Sequence, residues 1–167
     1  MHLPTQSPNL TAKIGPVGEN YRRIVFRLRS GRDGEWLQVT PGERFRVRTS
    51  AKDTKGMYTM LELIADSRNG VPMHIHQNED EHFVVLEGSM HIANGDERFN
   101  APAGTTVTIR KGVPHAWCNV MDVPLRVLVV FSPGHIEDLS RAVAARESDD
   151  IAALAEARHS SCGPAAA

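Results

Sequence analysis

The sequence predicts an all-β fold, either a sandwich or a closed barrel of many short strands. Apolar residues alternate with polar ones over short runs, and turn signals separate these runs at regular spacing. His74 and His76 add a third observation, because residues two apart project from the same face of a strand but diverge on a helix. The 167 residues are enough for one domain with a buried core.

Turn signals and apolar runs place the elements in order along the chain. Residues 1–20 are rich in Pro, Gly, Thr and Asn without periodicity, which predicts a loosely ordered N-terminal arm. Asn94-Gly95 indicates a two-residue hairpin turn, because both positions favour positive φ. Residues 102–104 and 111–114 contain Gly and Pro and indicate further turns. The predicted strands are residues 22–29, 35–39, 43–49, 58–66, 73–77, 82–86, 89–93, 105–109, 115–120 and 125–131.

The sequence changes character after the last predicted strand. Residues 132–159 predict one or two helices that pack on the barrel or on a partner subunit. Ser132 and Pro133 suit the cap and the first position of the first helix, and Ile136 begins its apolar face. Residues 160–167 predict a frayed tail.

Composition and charge are those of an ordinary soluble protein. Hydrophobic residues are 41% and charged residues 23% of the chain, and the formal net charge of −1 shows no basic excess for nucleic acid. The longest apolar run, residues 127–131, is too short to span a bilayer, and the N-terminus lacks the pattern of a secretory signal. Cys118 and Cys162 do not make a disulfide framework. We therefore expect a cytoplasmic protein with reduced thiols that binds neither nucleic acid nor membrane.

The residues with the clearest chemistry lie in two segments of the chain. His74 and His76 are followed by three acidic residues at 79–81, and His115 follows on a later segment. Imidazole nitrogens together with a carboxylate suit a divalent transition metal, and iron, manganese, nickel, cobalt and zinc all accept such ligands. His82 is expected to be an ordinary barrel or surface histidine, because its parity is opposite to that of Glu81.

This pattern closely resembles the two signature motifs of the cupin superfamily. The first motif, G-x5-H-x-H-x3,4-E-x6-G, is matched from its first histidine onward by His74, His76, Glu81 and Gly88. The second motif, G-x5-P-x-G-x2-H-x3-N, is matched by Gly104, Gly112, His115 and Asn119. Gly70 lies closer to the first histidine than the motif requires, and Arg110 replaces the usual proline. The match covers about residues 58–131.

The resemblance implies a cupin jelly-roll barrel, or double-stranded β-helix, over residues 21–131, with its metal-site core at 58–131. The barrel has an N-terminal strand extension and one or two C-terminal helices. The motif spacing selects Glu81 among the acidic residues, and Phe131-Ser132-Pro133-Gly134 resembles the end of the barrel in quercetin-dioxygenase-like single-domain bacterial cupins. Family members often form homodimers by exchanging edge strands, and residues 22–29 are the candidate strand.

The resemblance also implies one divalent transition metal inside the barrel. Its protein ligands are His74, His76, Glu81 and His115. Four protein ligands leave two positions of an octahedron open for a small-molecule substrate, with or without dioxygen. Glu81 is also the candidate general base, a role that the similarity to quercetinase-like enzymes supports.

Strand alternation predicts a substrate pocket beside this metal. Phe83 and Val85 share the face of Glu81, and Trp117 shares the face of His115. These side chains either wall an apolar pocket or simply fill the interior of a small barrel.

Three neighbours of the motif residues have simpler interpretations. Cys118 has the parity opposite to that of His115, which predicts a buried thiol facing away from the metal. Asn119 is expected to hydrogen-bond to the backbone at the end of its strand. Arg110 lies beside a turn, which favours a solvated charge over a contact with an anionic substrate.

Three functions are compatible with such a site. The one we favour is a metal-dependent dioxygenase that cleaves a carbon–carbon bond in a small enolisable or polyphenolic substrate. The second is a non-redox metal enzyme, an isomerase, cyclase, decarboxylase or lyase, that uses Glu81 as its base. The third is a small-molecule-binding protein in which the metal only shapes the pocket. Analogy at the level of the fold does not separate the three.

Overall fold

The predicted all-β fold is confirmed in residues 34–138, the part of the chain that the structure, a computed structural model, describes. The strands in chain order are β1 (Leu37–Thr40), β2 (Glu43–Thr49), β3 (Thr59–Ala65), β4 (Gly70–His74), β5 (Asp80–Glu87), β6 (Ser89–Asn94), β7 (Glu97–Pro102), β8 (Thr106–Ile109), β9 (His115–Asn119) and β10 (Leu125–Ser132). A short helix, α1 (Ala51–Thr54), begins with a capping box between Ser50 and Asp53. No helix among residues 34–138 is long and apolar enough to cross a membrane.

The strands form two antiparallel sheets around a common interior. One sheet has six strands in the order β1-β2-β3-β10-β5-β8, and the other has four in the order β4-β9-β6-β7. The last strand, β10, lies between β3 and β5 and pairs with both. Side chains from both sheets line one cavity, so the hydrophobic core lies between the sheets.

The period-two alternation decides which side chains enter this core. On β10, Val127, Val129 and Phe131 are buried, whereas Leu128 and Val130 between them are half-buried. Full burial of one such side chain stabilises the fold by about 1.5–3 kcal/mol. The same alternation runs along β5 and places Glu81 on the inner face.

Two strands differ most from the predicted ones, whereas the bounds of the other strands differ from prediction by at most two residues. β4 covers Gly70–His74 rather than 73–77, although Pro72 lies within it. Proline has no N–H to donate, but β4 is an edge strand of its sheet in the described residues, so one side of its backbone needs no partner. β7 is absent from the predicted runs because its sequence contains few apolar residues. It is the opposite edge of the same sheet.

The predicted helix cap at Ser132 and Pro133 is wrong. β10 continues through Ser132, which pairs with Asp80 on β5, and the first helical residue is Ile136. The backbone of Ser132 is thus used by the sheet and cannot open a helix. The predictions for residues 1–20, 22–29, 139–159 and 160–167 lie outside the described residues.

The prediction of a reduced thiol at Cys118 is wrong as well. Cys118 is buried on β9 and is disulfide-bonded. The other cysteine of the sequence, Cys162, lies outside the described residues. The expectation of a cytoplasmic location drew on reduced thiols, so it loses that support.

Candidate metal centre

The four predicted ligands come together inside the barrel. His74 is the last residue of β4, His76 follows two residues later, Glu81 is the second residue of β5, and His115 is the first residue of β9. His74 and His115 are direct partners in the β4–β9 ladder, whereas Glu81 belongs to the other sheet. The cluster therefore bridges the two sheets, which is why no single segment of the chain contains it.

The ligand atoms of these residues all lie within 4.8 Å of one another. His115 Nε2 is 2.8 Å from Glu81 Oε2, and His74 Nε2 is 3.2 Å from His76 Nε2. His76 Nε2 is 3.7 Å from Glu81 Oε2. Ligand atoms about 2.1 Å from one octahedral metal lie about 3 Å apart when adjacent and about 4.2 Å apart when opposite. The donor set therefore fits a divalent transition metal held by three imidazoles and one carboxylate.

Backbone carbonyl groups orient two of the histidine rings. His74 Nδ1 lies 2.8 Å from the carbonyl oxygen of Pro72, and His115 Nδ1 lies 3.0 Å from that of Val113. A carbonyl oxygen only accepts hydrogen bonds, so Nδ1 of each ring carries a proton and donates it. In the neutral ring Nε2 then directs its lone pair into the cluster, which is the arrangement that binds a metal.

The three histidines differ in their readiness to take up a proton. Burial lowers the pKa of both His74 and His76 below the usual value of 6.5, and the nearby His115 lowers both further. Burial also acts to lower the pKa of His115, but hydrogen bonds to the Glu81 carboxylate and to the Val113 carbonyl outweigh it, and the pKa is raised. His74 and His76 therefore favour the neutral form that a metal requires.

The cluster faces a largely apolar cavity of about 200 Å³. Phe83 and Trp117 line it, and their rings meet edge to face with centroids 6.3 Å apart. Phe131 adds a third ring, whose centroid is 5.3 Å from that of His76. Val85 is buried but is not among the described residues that line the cavity, which favours the second of the two predicted roles, filling the barrel interior. It is the next inward residue after Phe83 on β5 and fills the barrel core.

The competing candidates for the metal site lie outside the cluster. Asp80 projects from the other face of β5, where its Oδ1 accepts a hydrogen bond of 2.9 Å from the Lys111 N–H. His82 Nδ1 lies 3.0 Å from Thr108 Oγ1 on the exposed side of the sheet. Glu79 is not among the residues whose ligand atoms converge.

Asn119 fastens the end of β9, as the sequence predicts. Its amide group donates to the carbonyls of Ala65 and Val123 at 3.0 and 2.8 Å, and its oxygen accepts from the Met121 N–H at 3.0 Å. The side chain of Arg110 is 73% exposed, as expected of a solvated charge.

Sequence reasoning missed a second carboxyl group in the cavity. Glu43 is 2% exposed and lines the cavity together with Phe45. The alternation along β2 contains the signal, because Glu43, Phe45 and Val47 share one face of that strand. A fully buried glutamate is rare, so the inward reading of Glu43 is easily passed over.

Comparisons with known proteins agree with the fold and the motifs. Residues 60–131 match the cupin domain family. Over 98 residues, 57% of this chain, the sequence is 24% identical to the quercetin 2,3-dioxygenase of Bacillus subtilis (strain 168). The matched part is 28% of that protein, so the chain spans little more than a quarter of the length of this curated relative.

Two solved structures illustrate the shared fold. A predicted oxalate decarboxylase from Thermotoga maritima has a TM-score of 0.57 and 18% identity, and the match covers 65% of this chain and 99% of that one. The polyketide cyclase RemF from Streptomyces resistomycificus has a TM-score of 0.55 and 22% identity, covering 64% of this chain and 80% of that one. At these identities the likeness is one of fold.

Two antiparallel sheets enclosing a cluster of three histidines and one glutamate define a jelly-roll protein with a candidate metal centre in its interior. The motifs, the family match and the related structures identify the class more closely. Residues 60–131 of this chain match the cupin domain family, and the chain shares the fold of the related structures.

Proposed function

We propose that this protein is a metal-dependent dioxygenase that cleaves a carbon–carbon bond in a small enolisable or polyphenolic substrate. The observation that carries the proposal is a three-histidine, one-glutamate cluster that faces an apolar cavity. Small-molecule sites are typically concave and apolar, with a few polar groups that orient the ligand. The sequence similarity to a quercetin 2,3-dioxygenase supports this reaction class.

The cluster would hold one divalent transition metal, from among iron, manganese, nickel, cobalt and zinc. When bound, such a metal supplies Lewis acidity and, if redox-active, electron exchange with dioxygen. The side chain of His76 is 14% exposed, whereas that of His115 is 1% exposed. The substrate therefore approaches the cluster from the side of His76, past the ring of Phe131.

Glu81 is the proposed general base. Its carboxylate is 4% exposed, and its Oε2 is 2.8 Å from His115 Nε2. An enolisable substrate must lose a proton from a hydroxyl group or from an α-carbon, and Glu81 is the carboxylate positioned within the cluster to accept it. In metal-free protein a protonated His115 donates from Nε2 to this carboxylate, whereas with a metal bound both groups would be ligands held side by side.

The apolar walls position the substrate and exclude water. Phe83 and Trp117 come from the two different sheets and meet edge to face, so together they form one apolar wall against which a planar substrate lies. Exclusion of water strengthens the electrostatic interactions at the cluster and protects reactive intermediates. These are the conditions that both an oxygenase and a non-redox enzyme require.

A non-redox reaction is the second candidate. Isomerisation, cyclisation, decarboxylation or elimination needs a Lewis acid and a base such as Glu81, but no oxidant. The buried carboxylate hydrogen-bonded to His115 favours this candidate as much as the first, because it serves proton transfer in both. Consumption of dioxygen is the property that separates them.

Metal content tests the centre itself. Native protein, His76→Ala and His82→Ala are purified without added metal and assayed by elemental analysis and cobalt(II) titration. We expect stoichiometric metal in native protein and in His82→Ala, whose ring contacts Thr108 outside the cluster. In His76→Ala we expect metal affinity to fall by at least about tenfold, since even residues that only support a ligand cost that much. Native protein that holds no metal and accepts none contradicts the centre.

Oxygen uptake tests the reaction class. With quercetin as the probe, oxygen consumption that requires both metal and probe supports the dioxygenase. Turnover of an enolisable oxo-acid without oxygen consumption supports the non-redox alternative. Metal-loaded protein that binds these probes and converts none of them supports a binding role.

A further inference from the structure

Glu43 is a second carboxyl group in the cavity that contains the proposed metal centre. It is 2% exposed and lies among apolar lining residues that include Val39, Phe45 and Leu63. Among the described residues that line this cavity, Glu43 is the one ionisable side chain outside the ligand cluster. The cavity therefore has two polar positions joined by an apolar wall.

The strand registers place the two polar positions at different depths. On β3, Thr59 lies opposite Phe131, which in turn lies opposite Glu81. Glu43 lies opposite Ala65, at the other end of β3. The ends of a strand of 7 residues are roughly 20 Å apart along the backbone, but Glu43 and Glu81 line the same cavity and so face a common space. A small elongated molecule can thus meet both positions.

Burying a carboxyl group in an apolar wall costs free energy. Desolvation disfavours it, and an apolar side chain of similar volume packs at least as well. Glu43 takes part in interactions within the protein, and two carboxylate oxygens together offer about four acceptor positions. The carboxylate can therefore keep those interactions and also accept a hydrogen bond from a ligand, which the apolar surroundings strengthen.

We propose that Glu43 binds the far end of the substrate and so determines the polarity of the molecule that the protein accepts. The inference rests on the proposed function, in which the near end of the substrate binds at the ligand cluster. The substrate class is an elongated, mostly apolar molecule with a chelating oxo-acid or hydroxy-ketone at one end and a hydroxyl group at the other. That hydroxyl donates to Glu43, whereas a molecule without it leaves the carboxylate facing an apolar group.

Two probe pairs that differ by one distal hydroxyl test this role. They are phenylpyruvate with 4-hydroxyphenylpyruvate, and 3-hydroxyflavone with 3,4′-dihydroxyflavone. Dissociation constants are measured by calorimetry on cobalt(II)-loaded native protein, Glu43→Leu, Glu43→Gln and the control Glu87→Gln, whose carboxylate is exposed. In native protein and in the control, the hydroxylated member of at least one pair should bind on the order of tenfold more tightly. Glu43→Leu should lose this preference, and Glu43→Gln should keep only part of it.

The ratio within a pair separates substrate recognition from a structural role, because a misplaced wall weakens both members together. The proposal is overturned if native protein shows no preference in either pair, or if the Glu43 variants keep the native ratio. If Glu43→Leu does not fold, the native ratio and that of Glu43→Gln decide. Failure of the proposed function is seen in separate measurements. If the metal centre is absent, native protein does not bind cobalt(II), and the inference fails with it. If only the dioxygenase reaction is absent, quercetin causes no oxygen consumption, while the ratios within the probe pairs still report on Glu43.

Discussion

At the scale of single residues, His74 and His115 are oriented by the carbonyl group of the residue two positions before each of them. These carbonyls belong to Pro72 and Val113, so the path of the backbone, rather than another side chain, sets the ring orientation. A ligand that is already oriented loses less entropy when a metal binds. Glu81, which belongs to the other sheet, lies 2.8 Å from His115 and brings the fourth candidate ligand to the cluster.

The opposite pKa shifts of the histidines give a prediction for metal-free protein. We expect His115 to titrate above 6.5 and His74 and His76 below it, since burial lowers all three pKa values but is outweighed at His115 by the combined effect of Glu81 and the Val113 carbonyl. In Glu81→Gln the negative charge is lost and burial dominates, so the pKa of His115 should fall below 6.5. NMR titration of the imidazole protons after chelation of metal measures these values.

The same shift has a consequence for stability. A histidine with a raised folded-state pKa stabilises the fold fully below its unfolded value of 6.5 and loses that contribution as pH rises through the folded value. The Tm advantage of metal-free native protein over Glu81→Gln should therefore shrink as pH rises from about 5 to about 8. An advantage that grows over this range contradicts the assigned role of the His115–Glu81 pair.

At the scale of elements, the β4–β9 pair is the frame of the metal centre. Its two strands carry His74 and His115, and they approach closely at Gly70, opposite Cys118. A Cβ atom at Gly70 would lie 2.1 Å from the Trp117 carbonyl oxygen and 2.6 Å from Cys118 Cα. These are backbone atoms, so the contact cannot be relieved by moving a side chain, and Gly70 is required by the close approach of the strands.

Replacement of this glycine should affect both stability and metal binding. Gly70→Ala forces β4 away from β9 and should lower the free energy of unfolding by about 2 kcal/mol or more. It should also weaken metal binding, because His74 moves with its strand. Gly112→Ala is the control: its Cβ meets nothing within 4 Å, although its φ of +80° costs about 1 kcal/mol for any other residue. Denaturant unfolding and cobalt(II) titration measure both effects, and equal losses in the two variants contradict the close-approach argument.

At the scale of the whole molecule, an ion network crosses the outer face of the six-stranded sheet. Glu62 on β3 accepts hydrogen bonds of 2.8 Å from Arg46 on β2 and from Arg126 on β10, and Arg126 also donates to Glu87 on β5. The guanidinium of Arg46 lies 4.5 Å from the centre of the Trp36 ring. The network thus ties four strands together behind the wall of the cavity.

Glu62→Gln should expose how much this network contributes. Breaking a buried pair from one side costs about 3 kcal/mol, because Arg46 stays buried without its charge partner. Burial raises the pKa of Glu62, but hydrogen bonds from Arg46 and Arg126 outweigh it, and the pKa lies below the usual 4.5. The contribution is therefore present above pH 4.5 and is lost as pH falls through the lower folded value.

Unfolding curves of native protein and Glu62→Gln should consequently differ at neutral pH and converge in acid. The matched control is Glu87→Gln, whose carboxylate is 63% exposed and should contribute no more than about 0.5 kcal/mol. A difference between native protein and Glu62→Gln that is constant with pH would mean that the charge of Glu62 is not what stabilises the sheet.

Two properties of the whole molecule stay predictions. The homodimer depends on the strand expected at residues 22–29, which lies outside the described residues. The cytoplasmic location depends on composition and on the expected absence of a secretory signal. Oligomeric state in solution and cell fractionation test them independently of the metal centre.

Local patterns in the sequence were sufficient where they were strong. The strand at Glu43–Thr49 is predicted to the residue, and β10 to within one residue, because apolar and polar side chains alternate cleanly there. Pattern reasoning failed at β4, where Pro72 is tolerated because the strand lies at a sheet edge among residues 34–138, and at Ser132, where pairing with β5 overrides a helix signal. Both failures have one cause, because the order of strands in a sheet cannot be predicted from any short segment of the sequence.

The two motifs predict the cupin resemblance and the four candidate ligands without the structure, because ligand type, spacing and glycines agree in both. The packing of the two sheets was needed to show that Glu43 shares the cavity with those ligands and that Val85 is not among its described lining residues. Alternation assigns a residue to the inner face of its own strand. Which other strand lies across the barrel, and at what depth, depends on register between distant segments, and that is settled only when the two sheets pack.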